Sequence, residues 1–305
     1  MNWLAMTMKL SHLALLIILM LLSACRDDVF NEQNLSIEKL QDSPYSLANC
    51  YTHIPWYLDD YVRCAYVEER SGNLYIRSNS MPPYDSRYYP SDSLNYPVSV
   101  TLDDENHLSI SEKLIEMIIP KSPEAKKINV NEEFDALSES SDNVYPAGAI
   151  GIAINGVALI NDDLSLSEEG NVQEGEDSYN GHVDESGLYH YHSRSNGPLE
   201  TLKYNGQIKI AVAGEAGKEL YGIMCDGTLV LGCTELSGRE PDSSDFDAQN
   251  GHAHTIIKKY GKSFLKNRYH THICPEKYPD WQRLPEIQYY SSCIIEVREF
   301  QGSSL

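Results

Sequence analysis

The chain has 305 residues, with 24 Lys+Arg against 45 Asp+Glu for a formal net charge of −21, and its mean hydropathy is −0.41. That length supplies ample material for a buried core, and the hydropathy excludes a polytopic membrane protein. The acidic balance argues against nucleic-acid binding and against docking on an anionic membrane, both of which need a basic face.

At the front, Lys9 precedes an apolar run from Leu13 to Leu22, followed by Ser23-Ala24-Cys25. The run is too short for a stable spanning helix and fits the apolar region of a secretory signal. Leu22-Ser23-Ala24-Cys25 resembles a bacterial lipobox, which implies cleavage before Cys25, lipidation of its thiol and a membrane anchor. The expected organisation is a signal over 1–24, a tether over 25–45 and a folded domain over 46–298. The site of action expected from this is extracytoplasmic, periplasmic or surface-facing.

Tyrosine is abundant, 21 against 5 Phe and 3 Trp, as in half-exposed strands where the ring packs and the hydroxyl stays wet. Residues 46–110 are rich in it and broken by Pro82-Pro83, Pro90 and Pro97, which predicts short strands and loops. Leu114, Ile115, Ile118 and Ile119 have helical spacing, so a helix is expected over Ser111–Ile119, ended by Pro120. Residues 131–145, acidic and Ser-rich, read as a surface loop. Six cysteines remain beyond Cys25: Cys50, Cys64, Cys225, Cys233, Cys274 and Cys293. An even number outside the cytoplasm implies disulfides. The short-range set 50–64, 225–233 and 274–293 is the expected pairing among the alternatives.

From residue 149 the chain repeats itself. Gly151–Ile160 has the shape strand, Asn155-Gly156 turn, strand; Gly222–Leu231 has the same shape around Asp226-Gly227. Both dipeptides predict two-residue hairpin turns. Asp177-Ser-Tyr-Asn180-Gly181-His182 is matched by Asp247-Ala-Gln-Asn250-Gly251-His252, and Tyr189-His190-Tyr191-His192 by Tyr269-His270-Thr271-His272. Three motifs in one order predict a duplicated β unit, repeated over about 149–200 and 220–275, with pseudo-two-fold halves. The fold class expected is mainly β (β-rich α+β), with few short helices.

Seven of the ten histidines lie between residues 182 and 272. On a strand, positions i and i+2 share a face, so His190 and His192, or His270 and His272, present two imidazoles together, a natural chelate for one ion. The candidate metal ligands are His182, His190, His192, His252, His270 and His272. Asp177, Asp247 and Asp226 are candidate ligands or acceptors that orient the imidazoles. His254 has Asp184 as its counterpart in the first copy and is peripheral on this reading. Neutral imidazoles with oxygen partners suit Zn²⁺ or Cu²⁺ better than Mg²⁺ or Ca²⁺. The two copies serve either one shared centre or two equivalent ones. The clusters Asp103-Asp104-Glu105 and Asp162-Asp163 lack an EF-hand spacing and read as solvated acidic faces.

On these motifs the chain resembles the YHYH-domain proteins, from about Leu74 to Cys293. The resemblance rests on the Ile76–Pro82 stretch, the Gly151–Ile160 hairpin, Asn180-Gly181-His182, Tyr189–His192, Cys225-Asp226-Gly227 and the second histidine block. It implies a secreted or lipid-anchored bacterial β domain with the histidines as signature, and no particular reaction. Three functions follow as expectations. The first is binding of a divalent transition metal. The second is a metal-dependent hydrolase, with Asp177, Asp247 or Asp226 as base and Tyr189 or Tyr269 as proton donor. The third is a purely structural envelope protein.

Overall fold

A computed structural model describes residues 50–93, 95–96, 108–136, 143–161, 175–256, 258–259, 262–263 and 267–299. The signal, Cys25, the tether and both acidic clusters lie outside them. The described residues are mostly β, with two helices, α1 (Val130–Asp135) and α2 (Asn196–Tyr204). Among them no helix is long and apolar enough to cross a membrane.

The smaller sheet comprises β1 (Tyr66–Arg70), β2 (Asn73–Ser78), β3 (Lys113–Pro120) and β14 (Ile294–Glu299), antiparallel in that order. β3 is the segment expected to be a helix. Its buried side chains are Lys113, Ile115, Met117 and Ile119, a period of two. The helical pattern came from counting Leu114 and Ile118 with the core, and they lie on the half-exposed face. β-branched isoleucines favour that pleated, half-buried surface. Asn129 caps α1, which occupies the start of the segment read as a loop.

The larger sheet has eight strands in the order β10-β13-β9-β8-β4-β5-β7-β6. These are β4 (Ala149–Ala153), β5 (Ala158–Ile160), β6 (Gly181–Val183), β7 (Tyr189–Tyr191), β8 (Leu220–Met224), β9 (Leu229–Leu231), β10 (Gly251–His254) and β13 (Arg268–His272). The order is palindromic under the repeat: β4 matches β8, β5 matches β9, β7 matches β13 and β6 matches β10. β4 and β8 meet antiparallel at the centre, Ile152 opposite Ile223. Those two isoleucines are equivalent in the two copies, so the pseudo-dyad passes between them. A bulge interrupts β4 between Ala149 and Gly151, and β8 between Leu220 and Gly222. The extra residues before the second Tyr-His motif hold the small hairpin β11 (Lys258–Lys259) and β12 (Lys262–Ser263).

The two Gly-containing hairpins turn differently from the two-residue expectation. Ala153 N–H bonds Val157 O, and Met224 N–H bonds Thr228 O, so each loop has three residues. Only Gly156 (φ +86°) and Gly227 (φ +95°) are left-handed, while Asn155 and Asp226 are not. This is a type I turn completed by a left-handed glycine. Asp226 selects it by accepting from Thr228 N–H and Oγ1–H.

Ile76 and Met117 of the small sheet meet Ile152 and Ile223 of the central pair around one apolar cavity. Three disulfides tie the structure: Cys50–Cys64, Cys225–Cys293 and Cys233–Cys274. Only the first matches the short-range expectation. Cys225 lies in the β8–β9 turn, whereas Cys233 lies beyond the far end of β9, some five residues of strand from Thr228, or roughly 16 Å. Cys233 instead meets Cys274, because β9 and β13 run parallel with Leu231 opposite His272. Three disulfides mark an oxidising, extracytoplasmic environment.

Candidate metal centres

Each copy builds its site on an outer strand pair. In the first, Asp177 Oδ1 accepts from the N–H groups of Tyr179 (2.8 Å) and Gly181 (3.2 Å), while Asn180 takes φ +59°. In the second, Asp247 Oδ1 accepts from Gln249 (3.1 Å) and Gly251 (2.9 Å), and Asn250 takes φ +58°. Asn tolerates that conformation better than other non-glycine residues. The other carboxylate oxygen accepts a phenol, Tyr189 on Asp177 at 2.7 Å and Tyr269 on Asp247 at 2.6 Å. A Cβ on Gly181 or Gly251 would overlap that same tyrosine hydroxyl. The motif Asp-x-x-Asn-Gly-His therefore fits a tyrosine on the adjacent strand, and its repeated geometry in both copies is that of a turn that receives a phenol.

In each copy the Asp–Tyr pair, Asp177 with Tyr189 or Asp247 with Tyr269, thus sits on the face opposite that copy's imidazoles. Asp226 is buried in its turn, bonded to Thr228 and to Tyr290 N–H. The histidines occupy the other face. The register sets His182 opposite His190 and His252 opposite His270, so each Asn-Gly-His turn delivers a third imidazole beside the strand pair. The two sets belong to opposite flanks of the eight-stranded sheet, with β5, β4, β8 and β9 between β7 and β13. They form two separate groups and no shared centre.

The first group is His182, His190 and His192, with one nitrogen of each lying within 4.8 Å of the others. His190 is buried; His182 and His192 are half-buried. His190 Nδ1–H donates to Leu188 O (2.9 Å) and His192 Nδ1–H donates to Ile160 O (3.1 Å). A carbonyl can only accept, so in each neutral ring Nδ1 carries the hydrogen and Nε2 is the acceptor nitrogen. Those two Nε2 atoms are 3.0 Å apart. Two lone pairs at that distance repel, and a cation shared between them would relieve the repulsion. A proton is disfavoured, because burial and the neighbouring His182 and His192 push the His190 pKa down to about 3. Two nitrogens bound to one tetrahedral Zn²⁺ at about 2.0–2.1 Å would stand roughly 3.3 Å apart, close to the separation seen.

The second group repeats the plan and adds to it. His270 Nδ1–H donates to Arg268 O (3.1 Å) and His272 Nδ1–H to Gly232 O (2.7 Å). His252 Nδ1–H donates to Asp245 Oδ1 (2.9 Å). The three Nε2 atoms face one oxygen, Glu235 Oε1, at 3.0 Å (His252), 3.4 Å (His270) and 3.4 Å (His272). His254 Nε2 stands 3.1 Å from the same oxygen. Burial raises the Glu235 carboxyl, but bonding to His252, His270 and His272 outweighs it and the net shift is downward. Burial likewise opposes charge on His252, yet Glu235 and Asp245 raise it on balance. Burial dominates at His270 and lowers it.

Glu235 is a functional candidate that the sequence reading missed, and His254 one that it set aside as peripheral. His254 carried a usable signal, its i+2 spacing from His252 on a strand. Glu235 carried none, since it reaches the group through the loop that follows β9. A third set of donor atoms, on Cys233, Cys274 and Glu276, is unavailable because its two cysteines are joined in a disulfide.

Set against protein-family models, curated proteins and solved structures, the chain matches none.

Proposed function

We propose that this chain is an extracytoplasmic, lipid-anchored protein that binds a divalent transition metal, Zn²⁺ or Cu²⁺, through its duplicated histidine motifs. The carrying observation is the facing pair of ring nitrogens, His190 Nε2 and His192 Nε2, which stand 3.0 Å apart with a backbone carbonyl accepting from Nδ1–H behind each ring. Backbone acceptors behind metal-facing imidazoles fix the tautomer and raise ligand basicity. The resemblance to YHYH-domain proteins and the lipobox at Leu22–Cys25 support a tethered location on a bacterial membrane.

Metal analysis of protein purified without added metal tests the reading. Stoichiometric metal is expected, reduced in His190→Ala/His192→Ala and again in His270→Ala/His272→Ala. Metal-free protein that refuses Zn²⁺ and Cu²⁺ in titration, and whose unfolding is unchanged by chelator, would leave a structural envelope protein. The half-exposure of His182 and His192 favours one second reading, a metal-dependent hydrolase at the first group, where bound water would have access to an ester or similar bond. Hydrolysis of an activated ester by the metal-loaded protein, lost in His190→Ala/His192→Ala, is its test.

A further inference from the structure

The two histidine groups grow from the same motifs, yet their third imidazole comes from different positions. In the first group the rings of His182, His190 and His192 form a nearly regular triangle, with centroids 4.4, 4.9 and 4.7 Å apart. By sequence equivalence the second triangle is His252, His270 and His272. Its two sides to His272 are longer, 5.5 and 5.3 Å, and that ring lies nearly parallel to Phe246, 5.2 Å away. His254 restores the triangle: it stands 4.8 Å from His252 and 4.7 Å from His270, which are 4.5 Å apart.

Strand alternation makes the replacement possible. His254 lies two residues beyond His252 on β10 and so shares its face. Its equivalent in the first copy is Asp184, whose Oδ1 accepts from Ser186 N–H and Leu188 N–H and so closes the turn before β7. The fourth donor is Glu235. Its Oε1 lies 3.0 Å from His252 Nε2, 3.1 Å from His254 Nε2 and 3.4 Å from His270 Nε2. One ligand atom from each of these four residues lies within 4.8 Å of all the others. Four donors bound to tetrahedral Zn²⁺ at about 2.0–2.1 Å stand about 3.3 Å apart, so each has three neighbours at that distance. In a square plane one of the three would lie across the ion, at about 4.1 Å. The three distances from Glu235 fit the tetrahedron.

We infer that the second group is a closed tetrahedral Zn²⁺ centre held by His252, His254, His270 and Glu235, with His272 outside the coordination set. This rests on the metal-binding reading above and names the ion, the ligands and the role of one of its two sites. Three imidazoles and one carboxylate fill a four-coordinate ion and leave no position for water or substrate, so the ion is structural. It ties the loop after β9 to β10 and β13, and its binding stabilises that flank of the sheet.

Co²⁺ titration of the mature chain carrying His190→Ala/His192→Ala isolates this centre. The expected result is one bound Co²⁺ with the intense visible bands of a tetrahedral ion, displaced by Zn²⁺. Glu235→Gln and His254→Ala, the latter at a half-exposed side chain, each lower its affinity at least about tenfold. His272→Asn, which keeps a donor for Gly232 O, leaves the intense bands in place. The weak bands of a five- or six-coordinate ion would overturn the inference while metal binding stood. So would unchanged affinity in a folded His254→Ala protein, or loss of the bands in a folded His272→Asn protein. Co²⁺ bound by the first group and refused by the second would do the same. Refusal of Co²⁺, Zn²⁺ and Cu²⁺ by the unsubstituted chain would overturn both. Near-ultraviolet circular dichroism of the buried tyrosines confirms folding in each variant.

Discussion

The first and second histidine groups share a turn, a strand pair and a set of backbone acceptors, yet they differ in charge and enclosure. His182, His190 and His192 meet as imidazoles, two of them half-buried. His252, His254, His270 and His272 surround a carboxylate, with His270 and His272 fully buried. Duplication therefore preserved the scaffold while the loop after β9 changed the chemistry. A strand pair supplies parallel side chains cheaply and repeatedly; the ligand that completes the set comes from a loop, where sequence is free to diverge.

The sharpest way to break the comparison is the Cys233–Cys274 disulfide, which only the second copy has. It closes 41 residues, so Cys233→Ser/Cys274→Ser is expected to destabilise the protein by about 4 kcal/mol. Because Glu235 and His272 flank it, metal affinity of the second group should fall at least about tenfold with the first group unchanged. Isothermal titration of proteins retaining a single group reads both. Equal loss at the two groups would mean that the disulfide acts on the whole fold alone.

Substitution at the paired glycines should instead erase the difference. Gly181→Ala and Gly251→Ala each drive a methyl into a tyrosine hydroxyl, at a cost of about 2–3 kcal/mol apiece from overpacking. Urea unfolding should return similar values for both, since this part of the motif is the same in the two copies.

Acidification of metal-free protein should separate the groups again, with a smaller effect. The His190 pKa lies at about 3 in the fold, below the value of about 6.5 in an unfolded chain. Its contribution is complete above that unfolded value and is lost as pH falls toward the folded one, about 2 kcal/mol by pH 5. His252 is shifted upward on balance by Glu235 and Asp245, so its contribution has the opposite sign, present at low pH and lost as pH rises through its folded pKa. Proton NMR of the imidazole Cε1–H resonances between pH 4 and 8, a span of about four units, should show His190 still neutral where His252 is charged.

Much of the site was legible in advance because its signals are local. Alternation places His190 and His192 on one face whatever surrounds them, and Asn-Gly before His182 and His252 announces the turns that bring those rings alongside. The same locality explains the error at β3. Leu114, Ile115, Ile118 and Ile119 satisfy a helical period, but Ile115, Met117 and Ile119 satisfy a strand equally well, and only the partners on either side, β2 and β14, decide between them. The repeated Asp is expected from sequence beside the metal, as ligand or as acceptor for an imidazole; it instead accepts the repeated Tyr on the far face, a pairing that depends on which strand lies next to which.

What the amino-acid order determined unaided is the duplication, the β character and the pairing of imidazoles within each strand, because these depend on periods of two and on turn residues a few positions apart. Only the tertiary structure decided that the copies stand on opposite flanks of one sheet, that Cys233 meets Cys274, and that Glu235 reaches four histidines. Those contacts join residues up to 41 positions apart. They follow from the parallel seating of β9 beside β13, for which no short stretch of chain carries a signal.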